Sequence, residues 1–393
     1  MFLSKKITYT ALTLSLLTVP ALGACSNSTA SSNQNDTKQT ASQEKESKQD
    51  TLKNNVKKMQ TTLNKLQNGL EENDQKQIKK YGKELYNQWL SYENNIREKY
   101  PLLYTDTEKY ILPLSTEIEK DSLDQKKVQE LSVQLDRSFE NLKNAKETAT
   151  KTSEALKKAV NNYKSYVNDQ TEQLVKTTTT FTDAVKAGDL EKAKASYAEA
   201  RVYYERIEPI AESFGDLDPK IDAREGDVDN SEWGGFHRIE KAMWKDASLE
   251  GMNTYATQLN NDVKDLQQRV KEVKLEPTQV VAGSMELLNE AAISKVTGEE
   301  ERYSHIDLVD LASNVEGSLA VYHAVLPILN EKSPELSEQL DKEFNQLTAT
   351  LGKYQKGGTY IPYTELTKEQ IRELSQQLNT LSESMAQTAE IFQ

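Results

Sequence analysis

The chain has 393 residues, 62 acidic and 49 basic, for a formal net charge of −13. That balance argues against a nucleic-acid partner and against docking on an anionic membrane surface, and it suits a protein that collects cations. Only 15 Gly and 9 Pro, in a background rich in Lys, Glu, Gln, Leu and Ala, predict an all-α fold, and the length is enough for two domains.

Residues 1–24 read as a lipoprotein signal peptide. Lys5 and Lys6 form the charged start, and residues 7–21 are an apolar stretch too short to span a bilayer permanently. Leu22-Gly23-Ala24-Cys25 has the pattern of a bacterial lipobox, so Cys25 is the candidate lipidation residue. The expected location is the cell membrane, lipid-anchored and facing outside the cytoplasm. Cys25 is the chain's single Cys, which excludes an intramolecular disulfide. Residues 25–50 hold almost nothing apolar and read as a disordered tether.

Residues 51–150 read as a helical N-terminal domain. Leu52, Val56, Met59, Leu63, Leu66 and Leu70 alternate at spacings of four and three, the mark of a helix with a narrow apolar seam. Asn73-Asp74 breaks it. Ile78, Tyr81, Leu85, Trp89, Tyr92 and Ile96 mark a second helix that stops near Pro101. A third starts near Asp106, with an interruption expected at Pro113. Val128, Leu131, Leu135, Phe139 and Leu142 mark a fourth. The stretch has no His and shows no metal constellation. Residues 72–93 overlie residues 187–208 at a shift of 115, with Asp74 over Asp189, Glu84 over Glu199, Trp89 over Tyr204 and Glu93 over Glu208. Chance and duplication explain this about equally. The polar run 147–152 is the expected domain boundary.

Residues 151–393 begin with a long helix through Val160, Tyr163, Val167, Leu174, Phe181 and Val185, closed by Gly188 before an Asp189 N-cap. The next helix leads to Glu205 and Glu208. Pro209 removes a backbone donor and pushes Glu208 out of regular helix. An acidic connection with Asp218, Asp222 and Glu225 follows. Gly235-Phe236-His237-Arg238-Ile239-Glu240 then opens a helix. His237 and Glu240 fall on one face with Cβ atoms roughly 5–6 Å apart, close enough to share a metal ion. Gly234-Gly235 allows another segment to approach the backbone closely. The plainer reading is a solvated helix face, since a Glu pair beside an apolar stripe is common and a lone H-x-x-E arises by chance.

Leu259, Val263, Leu266 and Val270 mark the next helix. Residues 280–295 are another, ended by Gly298. Residues 303–329 read as one helix bent near Pro327, with His305, Ala312, Glu316 and His323 on a single, inward face. Leu336, Leu340, Phe344, Leu347 and Leu351 follow Ser333-Pro334. After a Gly357-Gly358 loop, a Thr367-x-x-Gln370 capping box starts the last helix, through Ile371, Leu374, Leu378, Leu381 and Met385.

An imidazole among carboxylates, with no thiolate, suits Fe, Mn or Zn. Tyr203, Tyr204 and Tyr303 are either further donors or core. His305 is either a ligand across a cleft or a buried His bonded to Asp307 or Glu316, and His323 reads as core. The stretch ERIEPIAESFGDLDPKIDARE followed by EWGGFHRIEKAMW, and the later GEEERYSHIDL followed by Asn314-Val315-Glu316-Gly317, resemble the imelysin family. Within it they resemble the EfeO/EfeM type of iron-uptake lipoprotein, over residues 155–393. The resemblance implies a bilobed pair of helical bundles with a metal site in the cleft between them. It places the metal motif on His237 and Glu240, with Glu208 and Asp222 as the best-matching partners and Glu205 and Asp218 the next. His305 and Glu316 are the candidates in the second segment. It also implies iron (Fe2+ or Fe3+) as cargo, with Zn2+ as an in vitro substitute. The partners it implies are an EfeU-type iron permease and an EfeB-type haem peroxidase. Many EfeO proteins carry a cupredoxin-type copper domain before this region; residues 51–150 lack the Cys and His for one. The alternative function is an imelysin-type metallopeptidase. That needs an open metal position and a general base, but H-E-x-x-H is absent and Glu205 is the one obvious base.

Lipid anchoring is tested by Cys25→Ala: the variant is expected to lose palmitate labelling, and unchanged labelling would contradict the anchor.

Overall fold

The computed structural model describes residues 36–120, 122–145 and 153–388; the signal, Cys25 and the boundary expected at 147–152 lie outside them. Two units separate, Met1–Gln49 and Asp50–Gln393. Helix α1 (Asp36–Glu71) buries Leu52, Val56, Met59, Leu63 and Leu66. It begins inside the stretch expected to be a disordered tether, because the Lys-, Glu- and Gln-rich run ahead of the seam has helix propensity of its own. Helices α2 (Gln75–Leu90), α3 (Glu93–Lys99), α4 (Pro101–Glu119) and α5 (Gln125–Lys143) follow. The interruption expected at Pro113 does not occur. Ile111, Leu114 and Ile118 are all buried, and this packed face holds α4 together around the missing donor.

Helix α6 (Glu154–Lys186) is capped by Ser153, and α7 (Leu190–Glu205) by Asp189. The chain then breaks at Arg206-Ile207 and resumes as the one-turn helix α8 (Glu208–Ala211), with Pro209 in its first turn. The offset seen in the sequence is an offset of structure too. Helix α1 ends at Glu71 and α6 at Lys186; α2 spans Gln75–Leu90 and α7 Leu190–Glu205; α3 starts at Glu93 and α8 at Glu208. Both Asp74 and Asp189 cap through their carboxylates. Trp89 donates to Glu108, as Tyr204 donates to Asp218.

Short helix α9 (Asp218–Asp222) leads to α10 (Gly235–Trp244) and α11 (Asn253–Glu272). Helices α6, α7, α10 and α11 pack together. Helix α12 (Pro277–Ile293), a 3-10 turn (Lys295–Thr297), α13 (Asp307–Lys332), α14 (Pro334–Gly352), a two-stranded hairpin of β1 (Gln355–Lys356) and β2 (Thr359–Tyr360), and α15 (Lys368–Gln387) complete the described chain. Helices α12 to α15 form a second bundle, met by α6 and α7 along α13 and by α4 along α12. The described residues are thus all-α apart from that hairpin.

Two expectations about α13 are corrected. It starts at Asp307, not near Tyr303, because the amides of Tyr303 and Ser304 are drawn off to Glu240 and His305 takes a left-handed φ of 59°. The face holding Ala312, Glu316 and His323 does not point inward. Leu308, Leu311, Val315, Tyr322, Val325 and Leu329 are the buried stripe, while Glu316 and His323 are exposed.

The break between α7 and α8 is gripped from two sides. A Cβ on Gly283 of α12 would lie 2.4 Å from the Pro209 carbonyl oxygen, and one on Gly317 of α13 would lie 2.4 Å from that of Arg206. Gly283→Ala and Gly317→Ala are each expected to cost about 1–3 kcal/mol in chemical denaturation, the usual range for overpacking. An unchanged midpoint would show that the break can move.

Candidate metal centre

Arg201 and Glu205 stand one turn apart on α7, and the break after Glu205 turns Glu208 toward the same space. Helix α10 begins against the end of α9. Gly235 has φ 74°, and a Cβ there would lie 2.2 Å from the Ile221 carbonyl oxygen. This close approach brings Asp222, at the end of α9, to His237 in the first turn of α10. Glu300 and Glu301 arrive from the loop before α13, Asp310 and Asn314 from α13 itself, and Lys295 from the 3-10 turn.

Inside the cluster Arg201 has no solvent exposure. It pairs with Glu205 and Asp222, and with Glu301 at 3.1 Å, Asp310 at 3.2 Å and Glu300 at 3.5 Å. His237 is 1% exposed. Its Nδ1 is 3.3 Å from Glu240 Oε2, and the other Glu240 oxygen accepts the amides of Tyr303 (2.9 Å) and Ser304 (2.7 Å). Glu240 therefore uses both oxygens inside the protein. The opposite ring nitrogen, Nε2, has no hydrogen-bond partner. It faces Asp222 Oδ1 at 3.4 Å and Glu300 Oε1 at 3.6 Å. Ligand atoms of Asp222, His237 and Glu300 lie within 4.8 Å of one another, as do those of His237, Glu240 and Glu301, and of Glu208, Glu212 and Glu290.

The electrostatics follow from burial without enough cations. Around Arg201, Lys295 and His237 stand Glu205, Glu208, Asp222, Glu240, Glu300, Glu301 and Asp310. Burial, then Glu205, push the Glu208 carboxyl well up; burial, then Glu240 and Asp310, do the same to Glu301. Burial pushes Asp310 up as well, against the pull of Arg201. Burial also raises Asp222, but Arg201 and His237 outweigh it and hold that carboxyl low. Lys295, Arg224 and His237 likewise overcome burial to hold Glu300 well below the usual carboxylate range. Burial and Arg201 both depress the His237 imidazole, yet its carboxylate partners Asp222, Glu240 and Glu300 raise it well above 6.5. The site thus holds protons where a metal ion would hold charge.

Sequence comparison fixes the family. The imelysin (peptidase M75) family model matches residues 159–388. The iron uptake system component EfeM of Bacillus subtilis is 50% identical over 358 residues, 91% of this chain and 93% of that one. The iron uptake system component EfeO of Escherichia coli K12 is 46% identical over 233 residues, 58% of this chain and 62% of that one. The chain belongs to the imelysin family. A solved iron-regulated protein A precursor from Parabacteroides distasonis aligns with a TM-score of 0.48 at 14% identity, over 63% of this chain and 97% of that one.

This imelysin brings His237, Glu240 and Asp222 together, with Glu205 one residue removed across Arg201. Glu208 is turned away from His237 and held by Lys295 and Asn314. Asp218 accepts from Tyr204 instead, and burial with Asp222 beside it raises its carboxyl to about 6. Glu316 is not at the cluster: it pairs with Arg206 beside a surface groove of about 470 Å³ that it shares with His323. His305 reaches Glu301 and Tyr363 through its backbone. Sequence reading missed Arg201, Lys295, Glu300, Glu301, Asp310 and Asn314. Glu300 and Glu301 lie inside the GEEERYSHIDL segment, whose run of charges reads as a solvated turn. Arg201 and Lys295 gave no signal, since a lone cation on a helix normally reads as surface.

Arg201→Met leaves several carboxylates without their cation, and removing one partner of a buried pair costs about 3–5 kcal/mol. The orphaned carboxyls would be raised in the folded state, so they favour folding at low pH and lose that contribution as pH rises. The deficit in chemical denaturation is therefore expected to be larger at pH 8 than at pH 5; a loss independent of pH would contradict the charge account.

Proposed function

We propose that this imelysin binds iron at His237 Nε2 with Asp222 and Glu300 as the charged partners, and serves as the capture component of an iron-uptake system. The observation that carries this is the buried Nε2 atom with no hydrogen-bond partner, 3.4 Å from Asp222 and 3.6 Å from Glu300, two carboxylates held low. A metal-bound His ordinarily gives its other ring N–H to a carboxylate, which fixes the ring. Glu240 suits that duty on Nδ1, so the H-x-x-E pair works as a ligand and its orienting carboxylate. Hard oxygen donors beside one imidazole suit Fe2+ or Fe3+, and admit Zn2+ in vitro. The names of the EfeM and EfeO relatives support the same cargo.

In this reading the protein is anchored to the membrane through Cys25, faces outside the cytoplasm, and passes iron to an EfeU-type permease with an EfeB-type haem peroxidase as partner. Binding is favoured over hydrolysis because Glu205, the general base a peptidase reading requires, is engaged by Arg201, Lys295 and Asn314.

The test is titration of Fe(II), Fe(III) and Zn(II) into single variants. His237→Ala and Glu300→Gln are expected to lose most of the affinity, and Glu240→Gln to lose about 10–100-fold, the usual effect of a supporting partner. Iron binding by His237→Ala at parental affinity would overturn the proposal. Iron must displace the imidazole proton, and the His237 pKa is raised. Affinity should therefore decline as pH falls through that raised value, a decline setting in above the ordinary 6.5. The metal-free fold runs the other way: His237 stabilises it fully below about 6.5, and that contribution is lost as pH rises through the folded-state value.

A further inference from the structure

Lys295 is a buried charge beside the iron site that is not one of its donors. It is 1% exposed. Its Nζ donates to both oxygens of Glu208, at 2.6 and 2.7 Å, and to Glu205 Oε2 at 3.0 Å, and it lies 3.8 Å from Glu300 Oε1. Asn314 Nδ2 donates to the same Glu205 and Glu208 oxygens, 2.8 Å from each. Asn314 has no exposure, yet its Oδ1 has no partner. Three carboxylates and an amide oxygen are the donors a hard cation takes. An ammonium on a four-carbon stem is a compact point charge that can stand in such a cage.

We propose that Lys295 is a built-in occupant of a second cation position, framed by Glu205, Glu208, Glu300 and the Asn314 amide, and that it restricts the cleft to one metal ion. Without the ammonium, Glu205 and Glu208 face each other with only Asn314 between them, and a divalent cation restores the balance. The Asn314 amide then turns its oxygen inward, because the amide hydrogens no longer serve carboxylates bound to metal. Glu300 is shared with the His237 position, so the two cations are neighbours and Lys295 also keeps a second ion from competing for that carboxylate. The count of one ion in the parent rests on the iron site proposed above.

The experiment is equilibrium dialysis of the full chain against Zn(II) and Fe(II), with metal counted per chain. Lys295→Met keeps an unbranched apolar stem, one atom shorter, and removes the charge. It is expected to bind two ions where the parent binds one. Lys295→Met with Glu208→Gln should return to one, and Lys295→Met with His237→Ala should keep one, at the new position. A folded Lys295→Met that binds a single ion with parental affinity overturns the inference. If Lys295→Met unfolds without metal, its thermal melting with and without Zn(II) reads the same position: rescue beyond the parent's own shift supports it, and absence of rescue overturns it. His237→Ala alone binding like the parent would instead overturn the iron site, while the gain or lack of an ion in Lys295→Met would still decide the role of Lys295.

Discussion

An excess of buried carboxylate over buried cation is the constraint on which the centre of this molecule depends. Glu205, Glu208, Asp222, Glu240, Glu300, Glu301 and Asp310 surround one buried guanidinium, one ammonium and one imidazole, with the half-buried Arg224 guanidinium 3.0 Å from Glu300 at the edge. Taking a charge out of water costs several kcal/mol per ion even after relaxation. The cluster meets that cost through direct pairing with Arg201 and Lys295 and through backbone amides aimed at Glu240, while burial pushes the carboxyls of Glu208, Glu301 and Asp310 well up. A cation at His237 Nε2, beside Asp222 and Glu300, adds positive charge where buried carboxylates outnumber buried cations, and a cation-capturing role is the reading that uses this arrangement.

The fold serves that cluster through close backbone approaches rather than through pockets. Gly235 against Ile221, Gly283 against Pro209 and Gly317 against Arg206 each leave no room for a Cβ. They fix the α9–α10 junction and the α7–α8 break, the two irregular points that aim Asp222, His237 and Glu208. Rigid helices on either side then hold side chains whose mutual repulsion would otherwise push them apart. The N-terminal helices contribute their own buried charge to the surroundings. Arg97 of α3 pairs with Glu286 of α12 and reaches Glu212 at 3.5 Å, and the Tyr104 hydroxyl of α4 donates to Glu286. At the 115-residue offset, α2 has Tyr86 and Leu90 where α7 has Arg201 and Glu205, so the matching helix boundaries come without these two charges.

Much of this was legible in the sequence, for physical reasons that can be named. Apolar spacing gave most of the helices because each buries one stripe, although the single helix expected through Ile78 and Ile96 is two, α2 and α3, parted at Ser91-Tyr92; Asp189 and Thr367 act as the expected caps, and the break read at Asp74 is a cap as well. The H-x-x-E pair and the Pro209 break were visible because both are local. What stayed hidden depends on distance in sequence. Nothing near Glu240 tells that Tyr303 and Ser304 will occupy its oxygen, and nothing near Lys295 tells that Glu208 will be turned toward it. Periodicity misplaced His305 for the same reason. It assumes that a helix continues, whereas the amides before α13 were claimed by a carboxylate more than sixty residues earlier in the chain.

The iron reading turns on one placement: the cation on Nε2 of His237, with Glu240 left on the opposite nitrogen. Anomalous diffraction from the iron-loaded protein tests it most directly. One iron peak is expected, within bonding distance of His237 Nε2 and of oxygens of Asp222 and Glu300, with Glu240 still on Nδ1. A peak on the Nδ1 side among Glu240 and Glu301, or between Glu208, Glu212 and Glu290, would contradict it.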